Sequence, residues 1–89
     1  MLNQQVTIIN RLGLHARAAA RFVQTAAAFK CEISVIKNGN KVNGKSIMGL
    51  MMLAAPQSTA LELITNGENE EGAMQALMAL ISDRFGEAE

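Results

Sequence analysis

The 89 residues suffice for one domain with a single hydrophobic core, so we expect one domain over residues 1–89. Eight basic residues balance eight acidic ones and Trp and Tyr are absent, which excludes the basic, aromatic-rich surface typical of nucleic-acid binding. No apolar run reaches the roughly 20 residues of a membrane span, and no secretory signal is visible. The single cysteine, Cys31, excludes an internal disulfide, so we expect a cytoplasmic protein without membrane insertion.

The first half of the chain predicts a strand, a helix and a hairpin. In QQVTIIN, Val6 and Ile8 lie on one face of a strand. The alanine-rich run ARAAARFVQTAAAF predicts a helix with a buried stripe formed by Ala19, Phe22, Val23, Ala26 and Ala27. CEISVIK alternates again, and the following Asn38-Gly39 predicts a tight hairpin, because both central residues of a type I′ turn need positive φ.

The second half predicts a short helix, a strand and a last helix. Ser46 is a plausible N-cap for a helix over residues 47–53, in which Leu50 and Leu53 form the buried pair. STALELITNG alternates and predicts a strand whose inward residues are Leu61 and Leu63. Asn69 is the expected cap of the last helix, whose apolar stripe contains Met74, Leu77, Leu80, Ile81 and Phe85.

The predicted order of elements is β-α-β-β-α-β-α, which indicates the α+β class. Strands with only one apolar face need cover on that face alone. The pattern therefore predicts a four-stranded antiparallel sheet with three helices on one face.

The only histidine, His15, lies where the loop RLGLH meets the first predicted helix. Exposed N–H groups at a helix start attract anions, so a phosphoryl group on the imidazole would meet the backbone amides of Ala16 and Arg17. The guanidinium of Arg17 would add a charge-assisted contact, and the imidazole would serve as a nucleophile. A polar helix cap is the alternative on spacing alone. A metal site is not expected, because the nearby sequence offers neither a second histidine nor a paired cysteine.

Two motifs, GLHARAAARFV and NGKSIMGLMMLAA, resemble the HPr family, the histidine phosphocarriers of the phosphotransferase system. The similarity runs from about Val6 to Phe85. The resemblance implies an open-faced β-sandwich, phosphorylation of His15 at Nδ1 by enzyme I and donation to an EIIA-type protein. It gives Arg17 the role of stabilising the phosphate. The chain would then be a phosphoryl carrier without a cofactor, rather than an independent turnover enzyme.

Two details refine the resemblance. The usual family motif has a proline where this chain has Ala18; alanine is a strong helix former, so the helix should still start. We expect the change to affect transfer rates or partner preference. The segments HARAAA and RFGE resemble the nitrogen-related branch of the family, NPr.

Ser46 has two interpretations. The structural one is an N-cap worth about 1 kcal/mol. The functional one is a regulatory phosphorylation site, because Ser46 matches the family's regulatory serine; a serine kinase would then be a further partner.

A docking face around His15 is the last expectation. Flexible thioethers suit surfaces that fit several partners, and small or apolar neighbours let a partner approach closely. The predicted face consists of Ala16, Ala20, Ile47, Met48, Met51 and Met52, with Arg21 and Lys45 meeting acidic groups at its rim. We expect a monomer. The alternative function is a regulatory interaction module that uses the same face, with phosphorylation as its switch.

Overall fold

A computed structural model describes all 89 residues and confirms the predicted order of elements. The elements are β1 (Leu2–Thr7), α1 (Ala16–Ala27), β2 (Glu32–Lys37), β3 (Asn40–Asn43), α2 (Ile47–Met52), β4 (Ala60–Asn66) and α3 (Glu70–Ser82), followed by a 3₁₀ turn, Arg84–Gly86. None of the helices has both the length and the apolar character that crossing a membrane requires.

The four strands form one antiparallel sheet in the order β1-β4-β2-β3. In β4, Leu61, Leu63 and Thr65 alternate with more exposed neighbours and are buried, so one face of the sheet is covered. The β2–β3 hairpin closes over Asn38 and Gly39, whose φ angles of 50° and 82° are both positive, as the sequence predicted.

The covered face packs against the helices around one continuous core. Leu50 and Leu53 are buried, as predicted for the short helix. In α1 the buried residues are Ala18, Ala19, Phe22 and Ala26. The prediction was wrong for Ala27, which is exposed, because the buried stripe includes Ala18 and is therefore centred further from Ala27. The α+β open-faced sandwich is confirmed.

Two further predictions about the last helix are corrected. Asn69 precedes α3, but its backbone is left-handed (φ 54°) and its side chain makes no capping hydrogen bond. The Glu70 side chain instead accepts a hydrogen bond from the amide of Gly67 at 3.0 Å. Phe85 is buried as expected, yet α3 ends at Ser82 and Phe85 lies in the 3₁₀ turn, outside the helix.

Candidate functional site

His15 is the residue immediately before α1, and its side chain contributes to the cap of that helix. Its backbone is extended (φ −82°, ψ −178°), and its Nδ1 accepts a hydrogen bond from the Arg17 amide at 3.3 Å. The amides of a first helical turn carry the positive end of the helix dipole. Nδ1 of His15 therefore lies where α1 most favours an anion.

The loop before His15 is held in place by backbone and side-chain hydrogen bonds. Asn10 is fully buried, and its Nδ2 donates to the carbonyl oxygen of Gly13 at 2.8 Å. The amide of Gly13 donates back to the carbonyl oxygen of Asn10 at 3.1 Å. Since both the amide and the carbonyl of Gly13 are hydrogen-bonded to Asn10, the chain is held in place two residues before His15.

Glu87 reaches the other ring nitrogen of His15 from the carboxyl-terminal segment. Its Oε2 contacts Nε2 of His15, and its Oε1 accepts a hydrogen bond from Nδ2 of Asn10 at 3.0 Å. The Glu87 side chain is only 14% exposed, so this is a partly buried pair. No pattern in the sequence predicts this contact, because the ending GEAE has no periodicity and Glu87 lies 72 positions from His15.

The environment of Glu87 favours its ionised form. Partial burial by itself raises the pKa of the carboxyl. The hydrogen bonds from Asn10 and His15, together with the positive charge of Arg21, outweigh burial and leave the pKa of Glu87 below its ordinary value. Glu87 is therefore a carboxylate at neutral pH.

A concavity of about 690 Å³ opens beside His15 between the start of α1 and the carboxyl-terminal segment. Arg11 is paired with Glu89 at 2.7 Å, whereas Arg17 forms no ion pair within the chain. The Arg17 guanidinium is thus free to bind an anion placed at Nδ1 of His15. The concavity is lined by Arg11, Leu12, His15, Ala16, Arg17, Glu87, Ala88 and Glu89.

The surface of α2 carries a methionine patch, which we define as Ile47, Met48, Met51 and Met52. The exposed fractions of Met48 and Met52 are 71% and 79%, and Ile47 and Met51 are also exposed. Their predicted exposure is confirmed, while their role in docking stays a prediction. α2 packs against α1, whose Ala16 is exposed and whose Ala20 is half-buried. Leu12, which the sequence analysis did not single out, is 68% exposed in the concavity.

The two cations predicted at the rim have partners within the chain. Arg21 is half-buried, and its Nη1 donates to the carbonyl oxygen of Phe85. Lys45 Nζ donates at 2.6 Å to the carbonyl oxygen of Phe29, beyond the carboxyl end of α1. Since the 12-residue α1 is about 18 Å long, Lys45 lies far from His15. The structure therefore does not group Lys45 with the residues around His15.

Ser46 caps α2 as the sequence predicted. Its Oγ accepts a hydrogen bond from the Gly49 amide at 3.0 Å, and its backbone is extended. The residue is half-buried. The structural interpretation of Ser46 is confirmed, and its phosphorylation stays a prediction.

Comparison with known proteins assigns the family. Residues 2–83 match the family model described as the PTS HPr component phosphorylation site. The chain belongs to the HPr family. A phosphocarrier protein HPr from Neisseria meningitidis is 60% identical over 89 residues, the full length of both chains. The crystal structure of HPr-C-His from Thermoanaerobacter tengcongensis superimposes with a TM-score of 0.96 at 47% identity, covering all of both chains. The crystal structure of the HPr dimer from the same organism superimposes with a TM-score of 0.79 at 48% identity, covering 98% of this chain and 100% of that chain.

Membership of the HPr family makes this protein a phosphocarrier of the phosphotransferase system. The matched span contains His15, Arg17 and Ser46 but ends before Glu87. The resemblance to the nitrogen-related branch stays a prediction, because the relatives above are named HPr.

Proposed function

We propose that His15 is the residue that carries the phosphoryl group, on Nδ1. Phospho-enzyme I would be the donor and an EIIA-type protein the acceptor. One observation carries the proposal: Nδ1 of His15 faces the amide of Arg17 at the start of α1, while Nε2 is occupied by Glu87. Only Nδ1 combines an available lone pair with a place that favours an anion.

The geometry accounts for both halves of the transfer. The lone pair of Nδ1 attacks the phosphorus, and the bond between phosphorus and the donor breaks with its electrons leaving on the donor. The Arg17 amide, which donates to Nδ1 before transfer, then donates to a phosphoryl oxygen, and the unpaired guanidinium of Arg17 binds another. The reverse steps pass the group to the acceptor.

Labelling with phosphoenolpyruvate and enzyme I tests the proposal. The wild-type chain should be labelled and His15→Ala should not, and the label should be acid-labile and base-stable, as expected of a phosphoramidate. Ser46→Ala is a matched control that removes the other candidate phosphorylation site and should keep the label. A stable label on His15→Ala would contradict the assignment.

The proposal also covers partners, oligomeric state and location. The methionine patch would dock enzyme I and the EIIA-type protein, with the chain acting as a cytoplasmic monomer. Ser46 would be a second phosphorylation site if a serine kinase acts on it. The exposed apolar patch lies on α2, which packs against the helix that His15 precedes, and this supports the docking role. Light scattering during size-exclusion chromatography should give the mass of one chain; a dimer mass would contradict that part of the proposal.

A further inference from the structure

The two ring nitrogens of His15 meet partners of opposite character. A neutral imidazole has one N–H donor and one acceptor nitrogen. Nδ1 faces a backbone amide, which can only donate, and Nε2 faces the ionised carboxylate of Glu87, which can only accept. Both contacts are satisfied by one tautomer alone, with the proton on Nε2 and the lone pair on Nδ1.

Contacts hold the Glu87 carboxylate on one side and the segment that leads to Glu87 on the other. On one side Nδ2 of the fully buried Asn10 donates to it at 3.0 Å. On the other, Phe85 is 1% exposed and its carbonyl oxygen binds Arg21. The backbones of Arg84 and Phe85 are left-handed, each with φ of 55°, a conformation that non-glycine residues keep only where surrounding contacts impose it. Glu87 is therefore held beside His15 by packing and by hydrogen bonds.

We propose that Glu87 is a positioning residue for phosphoryl transfer, which holds the neutral ring of His15 with its proton on Nε2 and stabilises the positive charge that the ring gains when Nδ1 is phosphorylated. The proposal rests on His15 being the carrier residue. It concerns a residue beyond the span that matches the family model.

The chemistry balances without any proton transfer. When Nδ1 gives its lone pair to phosphorus, the ring keeps its proton on Nε2 and becomes a cation next to the Glu87 carboxylate. When the N–P bond breaks toward the acceptor, its electrons return to Nδ1 and a neutral imidazole leaves. Without Glu87, the tautomer protonated on Nδ1 becomes accessible, and that tautomer has no lone pair on Nδ1 for the attack.

Other charges near the ring do not duplicate this role. Arg11, Arg17 and Glu89 line the concavity, but Glu89 is paired with Arg11, and Arg17 lies on the helix start that Nδ1 faces. The guanidinium of Arg21 is bonded to the carbonyl oxygen of Phe85, and its charge helps to lower the pKa of Glu87. Glu87 is thus the only carboxylate bonded to the imidazole.

Nitrogen NMR of isotopically labelled protein tests the tautomer directly. His15 is the only histidine, so its two ring nitrogens give one assignable pair of signals. At a pH above the range in which free histidine titrates, wild-type His15 should be protonated on Nε2. In Glu87→Ala the ratio of the two tautomers should shift toward Nδ1–H by about tenfold, as expected for loss of a hydrogen bond to a charged group. Glu71→Gln removes a carboxylate at the distant start of α3 and is the matched control.

The rate of phosphorylation by enzyme I supplies the second measurement. Glu87→Ala should be phosphorylated about tenfold more slowly than wild type, and Glu87→Gln, which loses the charge but keeps the size, should also be slower. Glu71→Gln should match wild type. If Glu87→Ala fails to fold, Glu87→Leu, which keeps an apolar side chain of similar size but cannot accept a hydrogen bond from Nε2, carries the tautomer measurement, and Glu87→Gln carries the rate.

The outcomes separate this inference from the proposed function. Wild-type ring signals that show Nδ1–H, or signals and rates that Glu87 substitutions leave unchanged, would overturn the role of Glu87. Failure of the wild-type chain to accept label on His15 would overturn the proposed function instead, whatever the tautomer.

Discussion

The amide of Leu14 donates to the carbonyl oxygen of Ala55 at 2.8 Å. This bond joins the loop that precedes His15 to the segment that follows α2. The residue before Leu14, Gly13, has φ of 71° and lies against the same segment. This hydrogen bond therefore links the loop that leads to His15 with the segment that follows α2, the helix that carries the methionine patch.

Gly13→Ala should disturb this contact. An added Cβ would lie 2.6 Å from the carbonyl oxygen of Ala55 and 2.8 Å from Cα of Pro56, both backbone atoms that cannot move aside easily. The left-handed φ adds strain for any L side chain. We expect a loss of about 2–3 kcal/mol in the free energy of unfolding, measured by urea denaturation. Gly39→Ala is the control for strain alone, since its Cβ meets nothing within 4 Å; equal losses would show that the close approach is unimportant.

Arg17→Glu should slow phosphorylation of His15 more than it affects stability. A carboxylate in place of the guanidinium puts a like charge beside the incoming phosphoryl group, and we expect a rate at least about tenfold lower. The native side chain is exposed and forms no ion pair, so the melting temperature should change by less than about 4 °C. Arg17→Gln, which removes the charge without reversing it, should be phosphorylated at a rate between those of wild type and Arg17→Glu. A large drop in melting temperature with a matching loss of transfer would make Arg17 a structural residue.

Met48→Lys should weaken binding to enzyme I without altering the fold. Met48 is 71% exposed, so a charge there costs little in the free chain but must be desolvated under a partner. We expect an affinity about tenfold lower by calorimetry, with an unchanged circular dichroism spectrum. Met51→Glu tests the less exposed position of the same patch, and Gln75→Lys, on exposed α3 surface, is the control. Unfolding by either methionine change would assign that residue to the core.

Ser46→Asp should fold normally and slow phosphorylation of His15 at low ionic strength. Aspartate is also a good N-cap and its charge suits the helix start, so stability should be kept, whereas Ser46→Ala should lose about 1 kcal/mol with the bond to Gly49. In the proposed docking face the new charge would oppose an acidic partner, and salt should restore the rate. A low-salt rate equal to wild type would leave Ser46 with its capping role alone.

Glu70 should make stability depend on pH in the acid range. The amide of Gly67 and then the amino terminus, 2.8 Å from Oε2, donate to its side chain and hold the pKa of Glu70 below its ordinary value of 4.5. A carboxyl with a lowered pKa in the folded state contributes stability above the unfolded pKa and loses it as the pH falls through the folded pKa. Urea denaturation at a series of pH values should therefore show Glu70→Gln less stable than wild type at neutral pH, with the gap closing in acid. Acetylation of the amino terminus should reduce the difference in free energy of unfolding between wild type and Glu70→Gln at neutral pH. A difference that stays constant with pH would contradict the assignment.

The sequence predicted the structural features that depend on residues close together in the chain. Alternation located the strands, the Asn38-Gly39 pair located the hairpin, and Ser46 located the start of α2, because each signal acts within a few residues of its effect. Asn69 shows the limit of that reasoning. It is a residue type that favours caps, but the turn after β4 puts its backbone in a left-handed conformation from which the side chain does not bond.

The candidate site shows the same limit more strongly. The helix start and the accessible Arg17 follow from local pattern, and the structure places both as predicted. The contact of Glu87 with His15 does not follow from local pattern, because it exists only once the last turn has packed Phe85 into the core. The contact of Arg21 was missed for a similar reason, and the sequence analysis placed this residue at the rim of the docking face. Its bond to the carbonyl oxygen of Phe85 joins segments 64 positions apart, a distance over which composition carries no information.

The exposure of the methionine patch also makes it the part of this surface most sensitive to oxidants. Conversion of a thioether to the sulfoxide turns a flexible apolar side chain into a polar one, and accessible side chains react first. Met48 and Met52 extend from α2 into solvent, whereas Met74 is 7% exposed within the core. Mild oxidation would therefore turn this exposed apolar patch into a polar one while the packing beneath it stays intact, and methionine sulfoxide reductases could reverse the change.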